Sequence, residues 1–450
     1  MTPAARIAAV IELLGQVEAL QQPADEVVQA YTRQRRYMGS KDRRAVADRL
    51  FAVLRARARL DWWVARASGA GPEAADDAAA RAAAGARHLV LAALVLVDGF
   101  PPETVAGRFD GQRYHPEPLD ADERAMLDAL AGQPPRHEQQ APWVRTETPP
   151  WLLPAFERMF GEDAEAELTA LNAEAPVDLR VNALVEPNRE AARTALTEAG
   201  MDSDPTPLAP LGLRLRGRRA VTDSAPFRDG KVDVQDEGSQ LVAALVGAAP
   251  EMAVCDLCAG AGGKTLALAA AMQDQGRLAA VDVDADRLGR AGPRLARAGA
   301  HNVERRVLAD GSDPWLTTNA GAFDRVLVDA PCTGVGAWRR HPDARWGLTQ
   351  AALDRNTAQQ DAVLAQAADL VRPGGRLIYA TCSLLPEENH DRVAAFRDAH
   401  PAFVPVPIAH VWDEAMDAPC PGGGEALLLS PRRTGTDGFY AAVLERRDAA

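Results

Sequence analysis

Lysine is nearly missing from this chain: of 50 basic residues only Lys41, Lys231 and Lys264 are lysine, and the other 47 are arginine. Where arginine is the default cation, a retained lysine marks a position suited to a compact ammonium. Cysteine is scarce and odd in number, five in 450 residues, which excludes a disulfide framework of the secreted kind. No histidine or cysteine pair stands near Cys332 or Cys382 at ligand spacing, so no metal is expected. Long apolar runs are missing as well. The longest, Leu89–Val97, has nine residues against the roughly 18–20 of a membrane helix. Glu12 interrupts the stretch that a secretory signal needs. A soluble, cytoplasmic chain with no membrane partner is expected. Net positive charge is missing too: 50 Lys+Arg against 63 Asp+Glu leaves −13. That excludes a uniformly basic coat for nucleic acid, but not a local basic face.

What is present is ordinary globular material, 47% hydrophobic and 25% charged, long enough for two to four domains at roughly 100–200 residues each. Residues 1–131 read as helices, with Ile7, Val10, Ile11, Leu14 and Val17, then Leu50, Val53, Leu54, Trp62 and Trp63, at helical spacing. Between Tyr31 and Arg66 eleven Lys/Arg stand against three Asp, a net +8. This run fits a solvated helix face and a phosphate-facing surface about equally. Residues 132–150, rich in Pro, Gln, Glu and Thr, read as a linker. Residues 141–234 mix helix with short strands at Val177–Val181, Leu213–Leu215 and Val232–Val234, and carry a second basic cluster from Arg214 to Lys231. From 235 to 450, short apolar strands alternate with alanine-rich helices, which predicts a parallel sheet covered on both faces. Ligands of such sheets sit at the carboxyl ends of the strands.

Three motifs fall at those ends. The strand Val254–Leu257 runs into Cys258-Ala259-Gly260-Ala261-Gly262-Gly263-Lys264-Thr265 and a helix, a glycine loop at a helix N-terminus that favours negative groups. Gly263-Lys264-Thr265 matches the end of an ATP-binding loop, but the first glycine of that pattern would fall at Cys258, so the pattern fails. Asp282 ends the next strand, twenty residues after Gly262, where an acid binds ribose hydroxyls. Asp310 follows the third strand as a partner for an adenine amino group. Three such signals in register outweigh the reading of each aspartate as a turn or cap, and predict an adenosine-bearing cofactor.

The fourth strand leads into Asp329-Ala330-Pro331-Cys332-Thr333-Gly334, and the fifth into Ala380-Thr381-Cys382-Ser383. Neighbouring parallel strands bring Asp329, Cys332 and Cys382 together. A free cysteine is usually a small buried hydrophobe, but here two of five land at the active edge. Cys255-x-x-Cys258 has redox spacing, yet Cys255 lies within a strand and is expected to point inward.

DLCAGAGGKT, FDRVLVDAPCTGVGAWRRHPDARW, RLIYATCSLLPEENHDRV and DGFYAAVLERR resemble the signatures of RNA cytosine-carbon-5 methyltransferases of the RsmB/Sun family, over about residues 150–450. Residues 1–131 more loosely resemble its NusB-like helical RNA-binding domain, best around SKDRRAVADRLFAVLR. The resemblance implies a Rossmann-like α/β domain with a seven-stranded, mostly parallel sheet over 235–450. A small α+β RNA-binding subdomain (141–234) and an all-α domain (1–140) would precede it, in a monomer acting on ribosomal RNA. Cys258 to Lys264 would line S-adenosylmethionine, with Lys264 near its carboxylate, Asp282 at the ribose and Asp310 at the adenine. Asp329 would stand between cofactor and flipped cytosine, Cys382 would be the nucleophile, and Cys332 would assist product release. Arg339 and Arg340 would touch RNA.

Two departures stand out: Ala261 replaces the family's usual proline, and Ala70–Gly132, with its GQRYHPEPLD segment, matches the helical domain poorly. Two other readings stay open here. One is a DNA cytosine methyltransferase attacking through Cys332, and the other a non-catalytic RNA-binding assembly factor that retains the fold.

Overall fold

Ile7, Val10, Leu13, Leu14 and Val17 are buried along one side of the helix Pro3–Leu20, as their spacing requires. Around it stand the helices Ala24–Gln34, Ser40–Arg55, Arg57–Ala67, Ala86–Leu96 and Ala121–Leu130. The long apolar run is the centre of this bundle: every residue from Leu89 to Leu96 is buried, as befits a helix apolar all round. Among the described residues no helix is long and apolar enough to cross a membrane. The computed structural model describes every residue of the chain except 21, 72–84, 218 and 448–450, so part of the poorly matching Ala70–Gly132 stretch lies outside the described residues.

The helical unit comprises Met1–Ala173 together with Trp338–Leu348, so it extends beyond the expected boundary at 140. Residues 132–150 are not a linker. Trp143 and Val144, on the short helix Pro142–Arg145, join the helical core. The fully buried Glu147 accepts from the backbone N–H groups of Ala58 and Arg59 and from Arg59 Nε, at 2.7, 3.2 and 2.8 Å. Composition misleads here because a carboxylate at a helix N-terminus satisfies orphan donors wherever its own segment lies in the chain.

The second unit, Glu174–Ala337 with Thr349–Ala450, holds both sheets. The smaller is antiparallel, in the order β2-β3-β1-β4, from β1 (Asp178–Val181), β2 (Ser203–Pro205), β3 (Gly212–Leu215) and β4 (Val232–Val234). The larger contains β5 (Ala253–Asp256), β6 (Arg277–Asp282), β7 (Val303–Val307), β8 (Phe323–Asp329), β9 (Val371–Thr381), β10 (Phe403–Pro405), β11 (Ala426–Leu429) and β12 (Phe439–Arg446). Seven of these run in the order β10-β12-β9-β8-β5-β6-β7, and the eighth, β11, pairs with β12. β5 to β9 are parallel and β12 is antiparallel to β9. Side chains alternate between two buried faces: Val326 and Val328 enter one core with Leu364 and Phe396, while Leu327 enters the other with Leu266 and Leu295. This is the expected Rossmann-like α/β sheet. Its order reverses between β5 and β8, the crevice where such sheets bind ligands.

Several members of the basic runs are occupied inside their own units. Arg35 pairs with Glu12, Arg49 with Asp98, Arg57 with Glu18 and Asp61, and Arg59 with Glu147. In the second cluster Arg214 clasps the buried Asp178 at 2.7 Å, Arg216 pairs with Asp204 and Lys231 with Glu186; Arg218 lies outside the described residues. Much of the charge that reads as a phosphate-facing surface neutralises acids nearby in space.

Candidate active site

β5 ends at Asp256, and the chain turns through the glycine loop into the helix Gly263–Ala271. Gly260 and Gly262 take φ of +51° and +79°, and a Cβ on Gly262 would meet Ala291 Cβ at 2.9 Å, so the backbone alone forms this turn. Asp282, buried at the end of β6, accepts from the backbone N–H groups of Gly260 (2.7 Å) and Asp284 (2.8 Å). The acid expected at a ribose therefore also ties the glycine loop to the second strand. Asp310 follows β7, fully exposed, and accepts from the N–H and hydroxyl of Ser312 at 2.7 and 2.6 Å. These hydrogen bonds hold its carboxyl below the usual carboxylate range.

Lys264 opens the helix with an almost buried side chain, and its Nζ donates to Asp329 Oδ2 at 2.7 Å. Burial works against its charge, but the Asp329 carboxylate more than offsets that and raises its pKa. The compact ammonium is thus held against Asp329. Asp256 lies beneath it, accepting from the Thr265 hydroxyl at 2.6 Å while its Oδ1 has no partner, and burial pushes its carboxyl up to about 7.

Cys332 Sγ and Cys382 Sγ lie 3.4 Å apart beyond the ends of β8 and β9. The Cys332 pKa stands well above the usual thiol value, first because of its hydrogen bond to Cys382 and then because of burial. Cys255 is fully buried in β5 and Cys258 stands on the loop, each with its thiol pushed up by burial. Neither is an activated thiol.

Three buried residues that motif reading passed over hold the segments of the two thiols. Glu388 accepts from the Thr333 N–H at 2.8 Å, from the Thr333 hydroxyl and from Gln360 Nε2 at 3.1 Å, while Gln360 also donates to Pro331 O at 2.9 Å. Asn389 accepts from the Thr381 hydroxyl at 2.5 Å and donates to Ser383 O at 2.9 Å. The signal in the sequence is the polar PEEN turn just after Cys382, but its partners lie up to 55 residues away. Burial raises the Glu388 pKa against the opposing hydrogen bonds from Ser383 and Thr333.

Backbone contacts complete the clamp. Gly336 N donates to Cys382 O at 2.9 Å, and Gly438 N donates to Gly336 O at 2.8 Å. A Cβ on Gly336 would lie 2.1 Å from Gly438 O. Gly336→Ala is therefore expected to displace one thiol from the other and to lower methyl transfer about a hundredfold, with cofactor affinity changed far less. Steady-state transfer beside a cofactor titration checks this; activity within threefold of wild type would remove the clamp from the argument.

The Arg339–Arg340 pair does not meet the expectation of two RNA-facing side chains. Arg339 is 3% exposed and Arg340 partly exposed. Both belong to the 338–348 segment of the helical unit, where Trp338 packs on Phe156 and Arg345 donates to Glu147 O. The segment reads as a polar loop, but Trp338, Arg339 and Arg345 are core residues there.

The donor set suits an adenosine carrying a charged amino-acid tail. It offers a glycine turn without side chains, helix N–H groups for a carboxylate, a strand-end acid for hydroxyls, and buried acids for an ammonium. Among the described residues no group of His, Cys, Asp and Glu is arranged to hold a metal ion.

Comparison with known proteins points the same way. A family model described as 16S rRNA methyltransferase RsmB/F matches residues 243–445, and one described as an RsmF/B-like ferredoxin-like domain matches residues 148–222. A ribosomal RNA small subunit methyltransferase B of Cronobacter sakazakii is 33% identical over 309 residues, covering 69% of this chain and 68% of its own. That of Erwinia tasmaniensis is 35% identical over 303 residues, 66% of each chain. The chain thus spans about two thirds of the length of the curated relatives it matches. Among solved structures, PH0851 aligns over 99% of both chains at TM-score 0.75 and 25% identity. A methyltransferase homolog protein from Pyrococcus horikoshii aligns over 68% of this chain and 97% of its own at TM-score 0.57 and 26% identity. The glycine loop, the strand-end acids and the paired thiols accordingly stand in a chain that belongs to the RsmB/RsmF family of S-adenosylmethionine-dependent methyltransferases.

Proposed function

We propose that this chain is a cytoplasmic RNA cytosine-carbon-5 methyltransferase acting on small-subunit ribosomal RNA, with Cys382 as its nucleophile. The observation that carries the reading is the pair of thiols 3.4 Å apart at the ends of β8 and β9, next to the Lys264–Asp329 ion pair. S-adenosylmethionine, held by residues 258–264 with Asp282 and Asp310, supplies an electrophilic methyl group.

Carbon-5 of cytosine is too poor a nucleophile to take that methyl unaided. Addition of the Cys382 thiolate to carbon-6 moves electron density onto carbon-5 and ring nitrogen 3. Asp329 and the Lys264 ammonium provide the proton-sharing partner that the nitrogen needs as charge builds on it. After transfer, carbon-5 carries both a methyl group and a proton. Removal of that proton expels Cys382 and restores the ring, and Cys332 is the group in place to take it. The hydrogen bond between the two sulfurs raises the Cys332 pKa before the attack. Once the Cys382 sulfur is bonded to carbon, that cause is gone, so Cys332 can release its own proton to solvent and, as the thiolate, take the proton from carbon-5.

Covalent trapping tests the reading. With ribosomal RNA carrying 5-fluorocytidine, fluorine blocks the elimination, so a protein–RNA adduct that survives denaturation is expected from wild type and Cys332→Ala, and none from Cys382→Ala. An adduct lost only with Cys332→Ala would transfer the nucleophile's role to Cys332, the arrangement of a DNA-type enzyme. Cofactor binding without any adduct would favour a non-catalytic assembly factor.

A further inference from the structure

The chain has five tyrosines, and three of them, Tyr31, Tyr37 and Tyr114, line one cavity of about 740 Å³ in the helical unit together with Arg35, Arg113 and His115. That volume falls in the range of ligand pockets, roughly 300–1,000 Å³. Two of the rings are held out into solvent, Tyr37 at 72% and Tyr114 at 69% exposure. Tyr114 sits in the GQRYHPEPLD segment that departs from the family pattern, and its backbone is left-handed, with φ of +70°. For a bulky side chain that conformation is strained and persists only where the surroundings impose it.

The surroundings do impose it. The His115 ring spans Asp110 Oδ1 at 2.7 Å and Thr2 Oγ1 at 2.9 Å, and Gly111 N donates to Pro116 O at 3.1 Å. The loop is therefore anchored on both sides of a ring that touches solvent. Arginines accompany the rings: Arg113 lies 4.8 Å from the Tyr114 centroid, and Arg35 lies 3.5 Å from that of Tyr31 while paired with Glu12. Arg33 and Arg36, either side of Arg35, are exposed, as is Lys41 beyond Tyr37. Exposed aromatic faces among guanidinium groups suit unpaired nucleobases, whose π-faces stack irrespective of sequence while the cations meet the backbone.

We infer that this cavity binds single-stranded RNA, with Tyr37 and Tyr114 as stacking platforms. The inference rests on the reading of RNA as the substrate and names a second contact with it, in the helical unit. It also gives the departing segment a role: a feature that weakens the resemblance supplies one of the two platforms.

The test uses the full chain and a fluorescent, mixed-sequence 12-nucleotide single-stranded RNA. Tyr37→Ala and Tyr114→Ala are each expected to weaken binding about tenfold or more, the double variant further, and the Tyr37→Phe/Tyr114→Phe pair to stay within twofold of wild type. Thermal unfolding midpoints confirm that each variant is folded. The inference is overturned if the double alanine variant binds like wild type, if phenylalanine fails as alanine does, or if duplex RNA of equal length binds as well as single-stranded. Tyrosine-dependent binding of polyglutamate in place of RNA would assign the cavity to acidic peptides and overturn it too. The two readings fail separately. Methyl transfer by wild type with tyrosine-independent RNA affinity removes only the cavity's role, whereas tyrosine-dependent RNA binding by a protein that takes up no cofactor removes only the methyltransferase.

Discussion

Cys382→Ala is expected to lower methyl transfer to unmodified ribosomal RNA by at least about a thousandfold and to leave no covalent complex. Cys332→Ala is expected to fail in the opposite way, methylating once and then remaining attached to its product. The physical reason is the order of proton movements between two sulfurs 3.4 Å apart. Cys332 starts protonated, its pKa raised by the hydrogen bond to Cys382 and by burial. On the proposed mechanism its proton-accepting work begins only after Cys382 has bonded to carbon-6 and Cys332 has released its own proton. Without Cys332 the first half of the reaction is intact and the elimination lacks its base. Denaturing electrophoresis of each variant with natural RNA and cofactor distinguishes the two: a shifted band is expected for Cys332→Ala and none for Cys382→Ala. Rapid turnover by Cys332→Ala with no shifted band would show that another group takes the proton.

Asp256→Asn is expected to gain stability relative to wild type as pH rises. The folded-state pKa of Asp256 is pushed up to about 7 by burial, from an ordinary value of 3.8. A carboxyl with a raised folded pKa is most favourable to folding below its unfolded pKa, where both states keep the proton. That contribution is lost as pH rises from about 4 to about 7, because the unfolded chain ionises first. Each pKa unit is worth about 1.4 kcal/mol, so the swing reaches about 4 kcal/mol across this window. Asparagine has nothing to ionise and still offers an oxygen to the Thr265 hydroxyl. Denaturant unfolding of both proteins from pH 4 to pH 8 checks the sign: the variant-minus-wild-type difference should climb and level off near pH 7. A flat difference would mean that Asp256 keeps its charge when folded, with Lys264 as the compensating cation.

Local sequence made the large sheet and its loops legible. Val232–Val234 is a strand over the residues its pattern marks, and the apolar cores of β5, β6, β8 and β9 were visible as short runs. β10, β11 and β12 were not: β10 has three residues, and the pairing of β11 and β12 joins segments whose order in the sheet no local pattern encodes. The buried polar residues escaped for a related reason. Glu388 and Asn389 look like an exposed turn in PEENHD, and only the folded chain places Thr333 and Gln360 against Glu388. Arg339 and Arg340 look like RNA-facing cations until the 338–348 segment joins the helical unit, where Arg339 is buried.

By itself the sequence marked the residues that gather at the carboxyl ends of the strands. A glycine loop, strand-end acids and two cysteines after Pro and Thr are local patterns, and backbone sterics and strand ends turn local patterns into positions. Tertiary structure alone decided how those residues are set: the Lys264–Asp329 ion pair, the approach of the two thiols and the arginines that are already paired. Each of these depends on a distance between residues far apart in the chain. Burial and Coulomb interactions vary with such distances, and composition and spacing do not encode them.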